Sequence, residues 1–132
     1  MRKRGSGKVT LAVLPAESDK FPTAAKAITT SLADATIAGV DDKQVASVSL
    51  EVAQLSIECV EPTVVCYTKV GRSLSANRLL FAEIEVEDRK RLKVTITLFD
   101  VDARKPRSVR RVFANEKEAS EKIGELVGEV SR

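Results

Sequence analysis

The sequence contains no histidine and no tryptophan, and only 4% of its 132 residues are aromatic. Without imidazole, the usual general base, nucleophile activator and metal ligand of neutral-pH chemistry is missing. Most hydrolase and zinc-site mechanisms are excluded on that ground. The two cysteines, Cys59 and Cys66, are too few to hold a metal unaided, and they lack the Cys-x-x-Cys spacing of a redox pair. No serine precedes a lysine at the spacing of a Ser-Lys nucleophile on a plausible helix start. The Gly-Ser-Gly-Lys run at 5–8 stands before the first strand, where a phosphate loop would follow one. Carboxylate pairs such as Asp41 with Asp42 and Asp100 with Asp102 fall in turns, where water solvates them and nothing separates their acidities for catalysis. No cofactor, metal or catalytic group is therefore expected. Long apolar runs are absent too: Leu11 to Leu14 is far short of the ~18 residues that cross a bilayer and is also too short for the core of an export signal.

What is present is enough for one compact domain, with 43% hydrophobic and 31% charged residues. The formal charge of +3 conceals a strong division. Residues 1–8 carry four cations and no anion, and 9–88 are net −6. Residues 89–111 are net +7, and 112–132 are net −2. Such a division suits a solvated surface of two signs, an electrostatically steered protein contact, or an anionic partner such as nucleic acid or lipid. Residues 1–7, with their Gly5-Ser6-Gly7 stretch, read as a flexible basic tail or the scar of an artificial linker, which leaves 8–132 as the single domain.

Lys8 to Leu14 is β-branched and apolar on both faces, as in a strand buried inside a sheet, and Pro15 ends it. From Pro22, the residues Ala24, Ala25, Ile28, Leu32 and Ala35 recur at helical spacing, with Gly39 as a stop. A second strand over Gln44–Val48 makes a right-handed βαβ unit with a parallel pair. Ser49 caps a short helix over Leu50–Leu55, and Pro62 opens a third helix in which Cys66, Val70 and Leu74 form the inner stripe. The period then changes from 3.6 to 2. Leu80, Ala82, Ile84 and Val86 alternate with Phe81, Glu83, Glu85 and Glu87. After the turn at Asp88-Arg89-Lys90, Leu92 to Phe99 alternates in the same way. Arg107 to Ala114 forms a third antiparallel strand whose Arg110 and Arg111 point to opposite faces, as on a charged edge. Asn115 and Glu118 frame a capping box, and Ala119, Ile123, Leu126, Val127 and Val130 share one face of the last helix. The class is α+β, a mixed α/β arrangement: one five-stranded mixed sheet in the order β-α-β-α-α-β-β-β-α, with helices mainly on one face.

Cys59 and Cys66 stand seven positions apart across a loop-to-helix junction. They are either bridged, which implies an oxidising compartment, or reduced, with Cys66 a small core residue. Phe81 and Phe99, on the polar side of their strands by parity, are either covered by a helix or loop or exposed as apolar anchors. The partner-binding candidates are Phe81, Phe99, Arg107, Arg110, Arg111 and Phe113, with strand addition along Arg107–Phe113 as the mode.

The run Val-Thr-Leu-Ala-Val-Leu-Pro, the helix over Thr23 to Ala38, the Cys59 to Cys66 pair, Val70-Gly71-Arg72-Ser73-Leu74-Ser75-Ala76-Asn77-Arg78-Leu79-Leu80 and Val94-Thr95-Ile96-Thr97-Leu98-Phe99-Asp100-Val101-Asp102 occur in that order. Together they resemble the amino-terminal α/β domain of TolB and related envelope modules, the CsgG-like group included, over about residues 8–130. The resemblance implies a bacterial envelope domain, usually periplasmic. It would serve as a non-catalytic adaptor in a trans-envelope assembly such as a secretion or surface-motility machine, with envelope proteins as partners. It brings no catalytic set. The sequence departs from TolB in that no β-propeller follows and no signal peptide is visible, so membrane attachment would come from segments outside this chain. The competing reading is a cytoplasmic nucleic-acid-binding domain that uses the basic residues of 89–111.

Overall fold

The structure, a computed structural model, describes residues 8–131; the tail at 1–7 lies outside them. The elements follow the expected order: β1 (Thr10–Val13), α1 (Pro22–Asp34), β2 (Asp42–Val45), α2 (Leu50–Ser56), α3 (Val64–Ser73), β3 (Arg78–Val86), β4 (Leu92–Asp100), β5 (Lys105–Phe113) and α4 (Glu116–Ser131). The five strands form one mixed sheet in the spatial order β2-β1-β3-β4-β5. β1 pairs parallel with both β2 and β3, while β3, β4 and β5 form an antiparallel meander. A strand with neighbours on both sides and helices over both faces must be apolar throughout, and Leu11, Ala12, Val13 and Leu14 are fully buried.

The sheet separates two cores. On one side α1 and α4, the two long helices, cover Leu11, Val13, Leu80, Leu92, Val94 and Ile96. On the other, α2 and α3 cover Ala12, Leu14, Leu79, Phe81 and Phe99. The expectation of helices mainly on one face thus holds for the long pair, while the short pair occupies the opposite face. The reason is the alternation of β3 and β4, which is apolar on both sides near β1 and only on one side further out, so α2 and α3 need cover only part of the second face.

Several boundaries differ from the sequence reading. β2 begins at Asp42, two residues early, because the Asp41 and Asp42 amides already donate to the Val9 carbonyl. Pro62 does not open α3; Thr63 is its N-cap, accepting from the Cys66 amide at 3.2 Å. α2 and α3 both end in Schellman motifs closed without glycine. Glu58 and Ser75 take the left-handed conformation (φ 56° each), and the Cys59 and Ala76 amides reach back to the Gln54 and Gly71 carbonyls. At the other end of the chain, Asn115 accepts from the Glu118 amide at 2.8 Å, and Glu118 returns a bond from the Ala114 amide at 2.9 Å.

Candidate interaction edge and its surroundings

β5 is an edge strand. It pairs with β4 from Leu92↔Phe113 to Asp100↔Lys105, and among the described residues no strand pairs with its outer side. Its nine residues span about 30 Å. β2, the opposite edge, has only four residues. Pro106 stands near the start of β5, a position open to it because an edge strand can spare an amide.

Strand alternation divides the β5 side chains. Arg107, Val109, Arg111 and Phe113 face the α4 side, and Ser108, Arg110 and Val112 face the other. Arg111 is held by α4, donating to Glu125 at 3.0 Å and Glu129 at 2.8 Å, with its guanidinium 5.9 Å from the Phe113 ring centroid. Ser108 shares a 2.8 Å hydrogen bond with Thr97. Arg107 and Arg110 are exposed and have no ion-pair partner among the described residues.

The three phenylalanines require correction as partner anchors. Phe81 and Phe99 are closed beneath α2 and α3, where Tyr67 packs on both at centroid distances of 5.2 and 5.6 Å. Phe113 lies in the other core under α4. A polar strand face by parity therefore became an apolar one wherever a short helix crosses it. Of the six candidates, the structure leaves Arg107 and Arg110 available, places Arg111 in a network with α4, and removes the three aromatic rings.

The two basic turns at either end of the meander are joined by β5. At one end the β3–β4 turn packs near Ala114. Asp88 there accepts from the Lys90 and Arg91 amides at 3.0 and 2.9 Å and from the Arg91 side chain at 2.7 Å. These bonds, the backbone ones foremost, hold the Asp88 carboxyl down at a pKa of about 2. Asp88 is thus fully engaged, Glu87 beside it is exposed, and Arg89 and Lys90 make no ion pair among the described residues. At the other end Arg78 takes both Asp100 (3.1 Å) and Asp102 (3.4 Å), and Arg104 and Lys105 make no ion pair among the described residues. Arg89, Lys90, Arg104 and Lys105 belong to the basic segment 89–111, and the register that lays β5 between the two turns adds them to the Arg107 and Arg110 edge.

On the α2 side of the sheet a second polar group goes beyond the sequence reading. Burial raises the Glu83 carboxyl above the usual range, with Glu51 of α2 and Glu85 adding to it. Burial likewise raises the Tyr67 phenol, with Glu83 and Glu51 contributing. Lys93 lies 3.6 Å from Glu85. Among the described residues no group of three or more His, Cys, Asp or Glu side chains is placed to hold a metal ion.

Cys59 and Cys66 are joined in a disulfide with a Cα separation of 5.3 Å. Local geometry brings them together. The Schellman turn after α2 places Cys59, and the Thr63 cap places Cys66 in the first turn of α3. Persistent bridges of this kind belong to oxidising compartments. No helix among the described residues is long and apolar enough to cross a membrane.

With this geometry in hand, the chain can be set beside known proteins. No protein-family model matches it, and no curated protein matches it by sequence. Solved structures do share the fold. The C-terminal domain of LpoB from Salmonella enterica superposes with a TM-score of 0.52 at 14% identity, covering 81% of this chain and 83% of that one. PelC from Paraburkholderia phytofirmans, solved as a dodecamer, gives 0.51 at 19% identity, covering 94% and 85%. TolB from Acinetobacter baumannii gives 0.48 at 11% identity over 28% of its length, too slight to add to the first two. At these identities the likeness is one of fold.

Proposed function

We propose that this chain is a non-catalytic protein-interaction domain of the bacterial envelope, an adaptor working in the periplasm within a larger trans-envelope assembly of the secretion or surface-motility kind. The observation that carries the reading is the long β5 edge, unpaired among the described residues, on which Arg107 and Arg110 stand exposed and without an ion-pair partner among those residues. A nine-residue edge left open is a template for another chain, and its charges prevent indiscriminate sheet growth while leaving it open to a matched partner. The Cys59–Cys66 bridge supports an oxidising location. The fold shared with PelC, which was solved as a dodecamer, supports a role in an assembly.

Two measurements in the native host test it. Alkylation without reductant followed by mass spectrometry is expected to find Cys59 and Cys66 oxidised; two free thiols would overturn the envelope location. A photo-crosslinking residue at Val112 on β5 is expected to capture a partner that the same residue at Lys26, on the exposed side of α1, does not. Equal capture from both positions would overturn β5 as the contact surface.

A further inference from the structure

The two basic turns and the strand between them form one surface. Of the nine cations in 89–111, Arg91, Lys93 and Arg111 are paired with Asp88, Glu85, and Glu125 and Glu129. The other six, Arg89, Lys90, Arg104, Lys105, Arg107 and Arg110, have no ion-pair partner among the described residues. They lie along β5 and at its two ends, beside a row of backbone amides and carbonyls that no strand among the described residues satisfies. We infer that the occupant of this edge is an extended acidic segment of another protein, added to the sheet as a sixth strand beside β5. This rests on the reading of the domain as an interaction module and gives its partner a chemistry.

Three occupants compete for a basic edge, and the structure separates them. Single-stranded nucleic acid is bound by stacking bases on aromatic rings, and here all five aromatics, Phe21, Tyr67, Phe81, Phe99 and Phe113, are buried. A second copy pairing β5 to β5 would oppose Lys105, Arg107 and Arg110 with their own like charges. An acidic strand meets neither obstacle. Its backbone would complete the open ladder, and its carboxylates would neutralise cations that have no anion of their own. Arg107 and Arg110 project to opposite faces, so acidic residues an odd number of positions apart match them. The half-exposed Val112, on the Arg110 side, favours an apolar residue near one end.

The test uses the oxidised full chain and a fluorescein-labelled octapeptide of valine and threonine with glutamates three positions apart, at its positions 3 and 6, read by anisotropy. Saturable binding is expected. It should weaken at least about tenfold on raising salt from roughly 50 to 300 mM, and by a similar factor in the Arg107→Glu, Arg110→Glu double variant. A lysine-for-glutamate peptide is expected not to bind. Arg110→Gln, milder and checked for an unchanged melting temperature, should give a smaller loss in the same direction. A peptide N-methylated at alternate amides that binds as well as its parent would overturn strand addition. Tighter binding of a single-stranded octanucleotide would make the partner a nucleic acid. Concentration-dependent self-association that blocks the peptide would give the edge to a second copy. Failure of every peptide overturns the acidic-strand occupant while leaving the thiol result in the native host untouched, and free thiols there overturn the compartment without bearing on peptide binding.

Discussion

Three helical glycines that look interchangeable in the sequence should respond to alanine with opposite signs. Gly124 and Gly128 lie on the exposed side of α4, and a β-carbon at either would meet nothing within 4 Å. Replacing each by alanine restores helix propensity at no steric cost and is expected to stabilise by up to about 1 kcal/mol per site. Gly71 is buried in α3, where a β-carbon would collide with the Val101 side chain, 3.1 Å from one methyl and closer still to the other. The same propensity gain there is outweighed by overpacking of about 1–3 kcal/mol, so Gly71→Ala should destabilise by up to about 2 kcal/mol. For 132 residues each kcal/mol corresponds to roughly 3 to 4 °C in Tm, so the three variants separate clearly in thermal scans and urea titrations. The decisive comparison is made in a Val101→Ala background. With the opposing methyls gone, Gly71→Ala should change sign and stabilise, giving a coupling of about 2 kcal/mol between the two positions. If Gly71→Ala stabilises with Val101 in place, or costs the same in both backgrounds, the close approach of α3 to the β4–β5 turn is refuted.

Cys59→Ser removes a bridge that closes a loop of separation seven, worth about 2.5 kcal/mol on the chain-entropy account; a urea-derived loss under about 0.5 kcal/mol would remove the bridge from the list of stabilising features. Glu83 is held above its usual pKa, so its favourable contribution is present below the unfolded value and falls away as pH rises through the folded one. Glu83→Gln should therefore stabilise at pH 7 by a few tenths of a kcal/mol after solvent screening and by nothing near pH 3. The same variant should lower the titration of Tyr67, the sole tyrosine, followed by phenolate absorbance, because Glu83 is the leading charge acting on it after burial. An unchanged phenol titration would separate the two groups. Glu116, in the first turn of α4, accepts from the Ala24 amide at 2.7 Å and so caps α1 from another helix. Glu116→Ala is expected to cost about 1 kcal/mol in urea unfolding, and a neutral result would show that water replaces this cap at no loss.

Which parts of this were legible in the sequence follows from the range of the interactions involved. The βαβ opening, the meander and the last helix rest on local signals: an all-apolar strand, 3.6 and 2.0 periods, and an Asn115–Glu118 cap, each acting within a few residues. The ends of α2 and α3 were less legible because Glu58 and Ser75 adopt a conformation usually signalled by glycine. The arginines of the edge strand were recognisable as such. The aromatic candidates were misplaced because alternation tells which side a residue takes and not what covers that side. Tyr67 stands fourteen positions before Phe81 and thirty-two before Phe99, and only the packing of α3 on the sheet brings the three rings together.

Alone, the order of residues determined the elements, the lack of imidazole chemistry, the division of charge and the closeness of the two cysteines, because each depends on composition or on neighbours along the chain. Tertiary structure decided which charges stay unpaired, which rings are hidden, and that two distant basic turns become one edge. Those outcomes depend on strand register and on helices crossing from elsewhere in the chain, where contact energy is set by proximity in space.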